Sequence, residues 1–253
     1  MASALAGQHA LVSGGGRGIG RAIASALHLA GARVSIIGRD GAILQQVLDA
    51  GEADRAASVD VTDEGAMART LAELSAEQPF DIVVANAGAV ETTPFRKSDA
   101  ALFRRMVEIN LVGTVNCFRP ALPAMLERGS GRLIAIASTA GHRGYPYVSA
   151  YVAAKHAVIG LVRSLALETA RSGITVNAVC PGYTDTDMVA GSIAAITGKT
   201  GATAQDALAQ LVKDNPQGRL ITPEEVAASV LNLCRPESRG ITGQSLLING
   251  GEF

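Results

Sequence analysis

Short apolar runs alternate along the chain with longer stretches in which apolar residues recur at helical spacing. His9–Ser13 (HALVS), Arg33–Gly38 (RVSIIG), Ala56–Val59, Asp81–Ala85 (DIVVA), Arg132–Ser138 (RLIAIAS), Thr175–Val179 (TVNAV) and Ser245–Ile248 (SLLI) read as strands. Most are near-continuously apolar, the pattern of parallel strands covered on both faces. Between them Gly18–Ala30, Ala66–Ser75, Ala100–Glu127, Ala150–Arg171 and Pro223–Cys234 read as helices. Strict alternation of strand and helix predicts right-handed βαβ units around one parallel sheet. The expected fold is a single α/β domain over residues 1–253, a doubly wound Rossmann-type parallel sheet of about seven strands with helices on both faces.

One segment breaks the rhythm. Gly182–Gly218 (GYTDTDMVAGSIAAITGKTGATAQDALAQLVKDNPQG), between the sixth and seventh strands, is long and rich in Gly, Thr and Ala. Its Ala-rich parts suit short helices, while its Gly and Thr content suggests mobility. Long connections in compact domains tend to be functional, so residues 182–218 are expected to form a substrate lid. Met188, Val189, Ile193, Ile196, Leu208 and Leu211, with the single aromatic Tyr183, would then line a pocket suited to an aliphatic chain. Lys199, Lys213 and Arg219 are the cations there that phosphates of a coenzyme A or carrier arm would meet.

Composition narrows the class. The chain has 253 residues, 48% hydrophobic and 18% charged, with a net charge of -1, which is globular and offers nucleic acid no general basic field. Charges or glycines interrupt every apolar stretch before the roughly 18 residues of a membrane span. Met1–Ala10 lacks the basic n-region and long apolar core of a secretory signal. Cys117, Cys180 and Cys234 are far apart and form no CxxC, consistent with reduced thiols and a cytoplasmic location. His9, His28, His142 and His156 show no metal-ligand spacing, and there is no GxSxG, so neither a metal site nor a hydrolase is expected.

The first strand runs into Ser13-Gly14-Gly15-Gly16-Arg17-Gly18-Ile19-Gly20 and directly on into a helix. Glycines let the backbone turn tightly and approach a ligand closely, and the helix N-terminus offers free N–H groups and partial positive charge to a pyrophosphate. In this strand–helix context the turn reads as a nucleotide cradle, although its spacing is Gly14-x3-Gly18-x-Gly20 rather than GxGxxG. The second strand ends in Gly38-Arg39-Asp40, where an NAD site places an acidic residue. With no carboxylate at position 38, Arg39 and Arg17 can converge on a 2′-phosphate. NADP(H) is the favoured cofactor, with NAD(H) the alternative if Asp40 takes a ribose hydroxyl.

Tyr151 and Lys155 are four residues apart in a helical segment and share one face. A free tyrosine is a poor base at neutral pH, and a neighbouring cation favours its phenolate, which would make it a usable proton donor and acceptor. The fifth strand ends at Ser138 and the fourth at Asn86-Ala87-Gly88, at the sheet rim where α/β proteins bind ligands. Asn110 is a polar residue within the apolar run Met106–Phe118, where burial demands a partner.

Gly14-x3-Gly18-x-Gly20, Asn86-Ala87-Gly88, Asn110, Ser138, Tyr151-x3-Lys155, Pro181-Gly182 and Thr242-Gly243, in this order and spacing, resemble the short-chain dehydrogenase/reductase family over essentially the whole chain. The resemblance implies that Tyr151 is the acid/base, that Ser138 orients the substrate oxygen, and that Lys155 lowers the Tyr151 pKa and holds the nicotinamide ribose. It implies that Asn110 anchors a water in a proton relay to Lys155, and that Asp60, in Asp60-Val61, holds the adenine amino group. Asn86 and Gly88 would line the cofactor, and Thr184 or Thr186, after Pro181-Gly182, would contact the carboxamide. The fourth strand reads Ala85-Asn86 where many members have a second Asn, a mild departure.

What is implied is reversible hydride transfer to a small-molecule carbonyl or from a secondary alcohol. The 3-oxoacyl and 3-hydroxyacyl thioesters of coenzyme A or an acyl carrier are the first substrates to test; another small ketone, a sugar or a steroid is the alternative. The epimerase branch usually carries a larger C-terminal region, and the enoyl-reductase branch has a wider Tyr–Lys spacing. A nucleotide-sensing module without turnover would be expected to lose one of Ser138, Tyr151 or Lys155, and all three stand in this chain. Surplus apolar surface on Ala100–Glu127 and Ala150–Arg171 suggests self-association, and the resemblance implies a homotetramer.

Overall fold

The computed structural model describes residues Ala4–Phe253, apart from the side chains of Ala195, Lys199 and Thr200. The Lys199 side chain, counted above among the lid cations, and Met1–Ser3 of the leading segment lie outside the described residues. The elements are β1 (His9–Ser13), α1 (Gly18–Leu29), β2 (Arg33–Gly38), α2 (Gly41–Asp49), β3 (Arg55–Ser58), α3 (Glu64–Ser75), β4 (Ile82–Ala85), α4 (Ala100–Val107), α5 (Gly113–Arg128), β5 (Gly131–Ile136), α6 (Ser149–Thr169), β6 (Ile174–Pro181), α7 (Asp187–Thr200), α8 (Ala204–Val212), α9 (Pro223–Cys234) and β7 (Ser245–Ile248).

The strands form one seven-stranded sheet in the order β3-β2-β1-β4-β5-β6-β7. Every pairing is parallel, with β1 set between β2 (His9 opposite Arg33) and β4 (Ala10 opposite Ile82). Successive strand residues feed opposite faces, which explains the unbroken apolar runs. Leu11, Val83, Leu133, Val176 and Ala178 pack with Met67 and Leu71 of α3, Cys117 and Phe118 of α5, and Val158 and Val162 of α6. Ala10, Val12, Ile36, Val84 and Ile134 face the other way, onto Ile23 and Leu27 of α1, Leu44 and Val47 of α2, and Val226 and Val230 of α9. All three cysteines are buried and free, packed as small apolar groups within these two cores.

Three elements differ from the sequence expectation. Helix α2 was not anticipated: over nine residues it buries only Leu44 and Val47, too short a period to stand out, and its start is set by Asp40, whose side chain accepts from Ala42 and Ile43 N–H. The expected Ala100–Glu127 helix is instead α4, a π-turn over Glu108–Val112, and α5. The 182–218 segment does form helices in its Ala-rich parts, α7 and α8, the second begun by a reciprocal Thr203–Asp206 capping box. Finally, α6 is long and apolar enough by composition to cross a membrane, yet its Ala154, Val158, Ile159 and Val162 are buried inside the fold.

Candidate active site

The carboxyl ends of β1, β2, β4, β5 and β6 open onto one cleft of about 1880 Å³, which runs from the glycine turn at one end to α7 and α8 at the other. Gly14 has a φ of +65°, and its N–H donates to the Ile37 carbonyl at 2.7 Å, folding the turn back on β2. A Cβ at Gly20 would strike the Gly14 carbonyl and stand 2.5 Å from Asn86 Nδ2, so α1 meets the turn with no room for a side chain. Asn86 Nδ2 donates to the carbonyls of Ser13 (2.9 Å) and Gly14 (3.3 Å), while Ser13 Oγ accepts from the N–H groups of Asn86 and Ala87, both at 3.0 Å. Ser13 thus ties β1 to β4 under the turn. In the sequence Ser13 shows only as a polar residue closing an apolar strand.

Helix α1 begins without a side-chain cap and without an acidic residue in its first turn. Its free N–H groups and the glycine cradle, with Arg17, Gly18, Ile19 and Gly20 on the cleft wall, fit the pyrophosphate of a dinucleotide. Arg39 lines the same wall at the end of β2. Arg17 is more than half exposed and lies 3.8 Å from both Asp40 and Asp187. Asp40 Oδ1 is engaged as the α2 cap, and its Oδ2 is the oxygen nearest Arg17. Asp60 accepts from Thr62 N–H (2.9 Å) and Thr62 Oγ1 (2.8 Å). The Thr62 backbone N–H holds its carboxyl below the usual range against partial burial, with the Thr62 hydroxyl and Arg39 adding to the effect. Beside it, buried Val61 packs where a Cβ on Gly113 would fall, and its carbonyl accepts from Asn116 Nδ2 at 2.8 Å.

At the middle of the cleft the π-turn delivers Asn110 inward, fully buried. Its Nδ2 donates to the carbonyls of Ala89 (3.0 Å) and Met106 (2.9 Å), and its Oδ1 accepts from Ala89 N–H at 3.3 Å. The Asn110 carbonyl accepts from Thr114 Oγ1 at 2.8 Å. A Cβ at Gly88 would fall 2.8 Å from Asn110 Oδ1 and 3.6 Å from Lys155 Nζ, so Gly88 keeps open the gap these two side chains border. Ser138 caps a short 3₁₀ turn, its Oγ accepting from Ala140 N–H at 3.1 Å, and its side chain lines the cleft together with Tyr151.

Helix α6 carries Tyr151 and Lys155 into the cleft. The Lys155 ammonium donates to the Ile136 carbonyl at 2.9 Å and stands 5.6 Å from the centre of the Tyr151 ring. Burial pushes the Tyr151 phenol up to about 12, opposed by the nearby Ser138 hydroxyl, and pulls Lys155 down to about 8, desolvation being the largest influence on both groups. At the rim beyond Pro181 and Gly182, Thr184 Oγ1 donates to the Gly182 carbonyl (3.1 Å) and Thr186 Oγ1 to the Thr184 carbonyl (3.2 Å).

The end of the cleft away from the glycine turn is lined by Tyr183, Met188, Val189, Ile196 and Leu211 of the 182–218 segment, but Ile193 and Leu208 are not part of that wall. Lys213 is on the cleft; Arg219 instead makes a two-point ion pair with Glu225 (2.6 and 2.8 Å) at the start of α9 and is already engaged. His142 does not line the cleft and packs against Phe253. A group the sequence reading did not assemble does: Arg143, Tyr145, Asp214 and Glu252.

The family model described as Enoyl-(Acyl carrier protein) reductase matches residues 14–252. The chain is 38% identical to a cis-4-hydroxycyclohexanecarboxylate dehydrogenase of Sinomonas cyclohexanicum, over 99% of this chain and 98% of that one. It is 35% identical to an acetoacetyl-CoA reductase of Shinella zoogloeoides, over 96% and 98%. Among solved structures it superposes on a variant of actinorhodin polyketide ketoreductase with NADPH at a TM-score of 0.92, with 35% identity, covering 100% of this chain and 99% of that one.

Proposed function

The chain belongs to the short-chain dehydrogenase/reductase family of oxidoreductases, and on that premise we propose that it is an NADPH-dependent reductase of 3-oxoacyl thioesters. The observation that carries this reading is the meeting of Ser138, Tyr151 and Lys155 between the glycine cradle and an aliphatic pocket. When bound, the reduced nicotinamide supplies the hydride. The rest falls to side chains of this chain. Ser138 Oγ hydrogen-bonds the substrate oxygen, and the Tyr151 hydroxyl hands it a proton. Lys155 holds the nicotinamide ribose and, with its charge, makes the phenol a better acid. Asn110 shapes the gap beside Gly88 through which protons return to Lys155.

Gly14, Arg17, Gly18, Ile19 and Gly20 cradle the pyrophosphate, Asp60 and Val61 the adenine, Asn86 and Gly88 the nicotinamide ribose side, and Pro181, Gly182 with Thr184 or Thr186 the carboxamide. Arg39 and Arg17 favour NADP(H) by their position on the cleft wall, and Asp40, whose Oδ1 caps α2, is the residue that would serve NAD(H) instead. The Ser138–Tyr151 pair is suited to a carbonyl oxygen, and the four-residue Tyr–Lys spacing supports a ketoreductase over an enoyl reductase. Residues 182–218 form a lid within one domain, whose closure would keep water from the reacting carbon. Exposed Leu126 on α5 and Leu167 on α6 support self-association, and the number four in a homotetramer comes from the family resemblance.

The test is a panel of acetoacetyl-coenzyme A, a ketose and a steroid ketone at equal concentration, each with NADPH and NADH, followed by reduced-nicotinamide absorbance. Fastest turnover of acetoacetyl-coenzyme A with NADPH is expected. Faster turnover of the ketose or steroid overturns the acyl assignment and leaves the hydride-transfer class standing.

A further inference from the structure

The Glu252 side chain is only 6% exposed although it lies in the segment that follows β7. A buried carboxylate requires partners, and each of its partners belongs to the substrate end of the cleft. The Tyr145 hydroxyl donates to Glu252 Oε1 at 2.7 Å and shares a 2.9 Å hydrogen bond with the hydroxyl of Thr139, the residue after Ser138. Arg143 Nη1 stands 3.3 Å from Glu252 Oε1, and Arg143 Nη2 stands 3.6 Å from Asp214 just beyond α8. The guanidinium lies over the rings of Tyr145 (5.2 Å) and Phe253 (5.4 Å). Glu252 Oε2 faces Gly182, where the lid begins.

One carboxylate thereby touches three parts: the 139–148 loop that joins Ser138 to α6, the start of the lid, and, through Arg143, its far end. We infer that Glu252 is a positioning residue, which through Tyr145 and Arg143 sets the loop between Ser138 and Tyr151 and couples it to the lid at Asp214. Its effect falls chiefly on the chemical step and not on binding of the nucleotide's phosphates, since Arg143, Tyr145, Asp214 and Glu252 all lie away from the glycine turn.

This inference rests on the reductase reading for its kinetic arm and not for its spectroscopic one. The variants are Glu252→Gln, which keeps shape and removes charge, Tyr145→Phe, and the double variant. Glu252→Gln is expected to lower kcat roughly ten- to a hundredfold, as small misplacements near a reacting centre do, with the dissociation constant for NADPH within about twofold. Tyr145→Phe should fall by a similar factor, and the double variant no further than the worse single, because both cut one link. Additive losses, or an unchanged kcat in Tyr145→Phe, overturn the inference, and the second result decides it even if Glu252→Gln does not fold.

The four tyrosines of this Trp-free chain, Tyr145, Tyr147, Tyr151 and Tyr183, all line the cleft, so near-UV phenolate absorbance reads this site without turnover. Burial raises the Tyr145 phenol first; the Thr139 hydroxyl and Arg143 lower it, and the Glu252 hydrogen bond and charge raise it, with the Tyr183 ring 6.3 Å away. Glu252→Gln should therefore bring one phenol to ionise at lower pH, a step that Tyr145→Phe removes. In a chain inert toward every carbonyl tried, the reductase reading fails and this titration alone decides the inference: an unmoved profile overturns it.

Discussion

Replacing Lys155 with Met should abolish turnover and make the protein more stable at neutral pH. The Lys155 ammonium is buried between α6 and the end of β5, and burial pulls its pKa from 10.5 to about 8. At about 1.4 kcal/mol per pH unit, holding the charged form in the fold costs about 3 kcal/mol. Because the folded chain binds fewer protons than the unfolded one between pH 8 and 10.5, this cost is fully present below about pH 8 and disappears as pH rises toward 10.5. Met fills nearly the same volume without charge but leaves the Ile136 carbonyl, 2.9 Å from the ammonium, without that donor, a loss of about 1 kcal/mol. The net gain at pH 7 is about 2 kcal/mol, or about 4–8 °C in Tm for a chain of this size. Calorimetry of both proteins from pH 7 to 10.5 reads it: the Lys155→Met advantage should be largest at pH 7, shrink above pH 8, and reverse slightly at the alkaline end. A variant less stable than the parent at pH 7 would refute the claim that desolvation dominates at this position.

Tyr151→Phe should lower kcat by about 10²–10⁴-fold or more, the usual size of a lost acid/base group, with NADPH affinity, followed by fluorescence, changed no more than a few-fold. Arg39→Ala should weaken NADPH about ten- to a hundredfold, as expected for a hydrogen-bonded charge, and hardly alter NADH; a parent enzyme that prefers NADH removes this prediction. Gly88→Ala places a Cβ 2.8 Å from Asn110 Oδ1 and should cost about 1–3 kcal/mol of stability together with turnover, read by urea unfolding and steady-state rates.

The sheet could be read from the sequence because its strands are filled from both faces. Continuous runs such as Asp81–Ala85 and Arg33–Gly38 have no other simple interpretation once helices of the right length separate them. Where the pattern misled, the cause was local. Helix α2 has an apolar stripe of Leu44, Val47 and Leu48, but at nine residues that stripe spans only two turns and its start is marked chiefly by the Asp40 cap. The π-turn at Glu108–Val112 keeps the apolar character of a helix while shifting its register, so periodicity predicts one helix where the backbone makes two. That shift is what turns Asn110 inward, and the buried amide was visible in the sequence only as a polar residue in the wrong company.

The site divides along the same line. The glycine turn, Ser138 and the Tyr151–Lys155 pair announce themselves because each is a short-range pattern attached to one strand end or one helix face. The environment that tunes them does not. The electrostatics of Lys155 depend on its burial against the end of β5 as well as on its spacing from Tyr151, and spacing alone does not show that burial. Thr139, Arg143, Tyr145, Asp214 and Glu252 are unremarkable one at a time, and two of them lie at least 69 residues beyond the others. Only packing gives the Glu252 carboxylate its burial, and only burial obliges it to be paired. If the Tyr145–Glu252 double-variant cycle proves non-additive, the specificity of this fold lies in such long-range pairs laid over a short-range catalytic pattern, and substrate choice should move with residues 143–147, 183–214 and 252 while the Ser138–Tyr151–Lys155 chemistry stays in place.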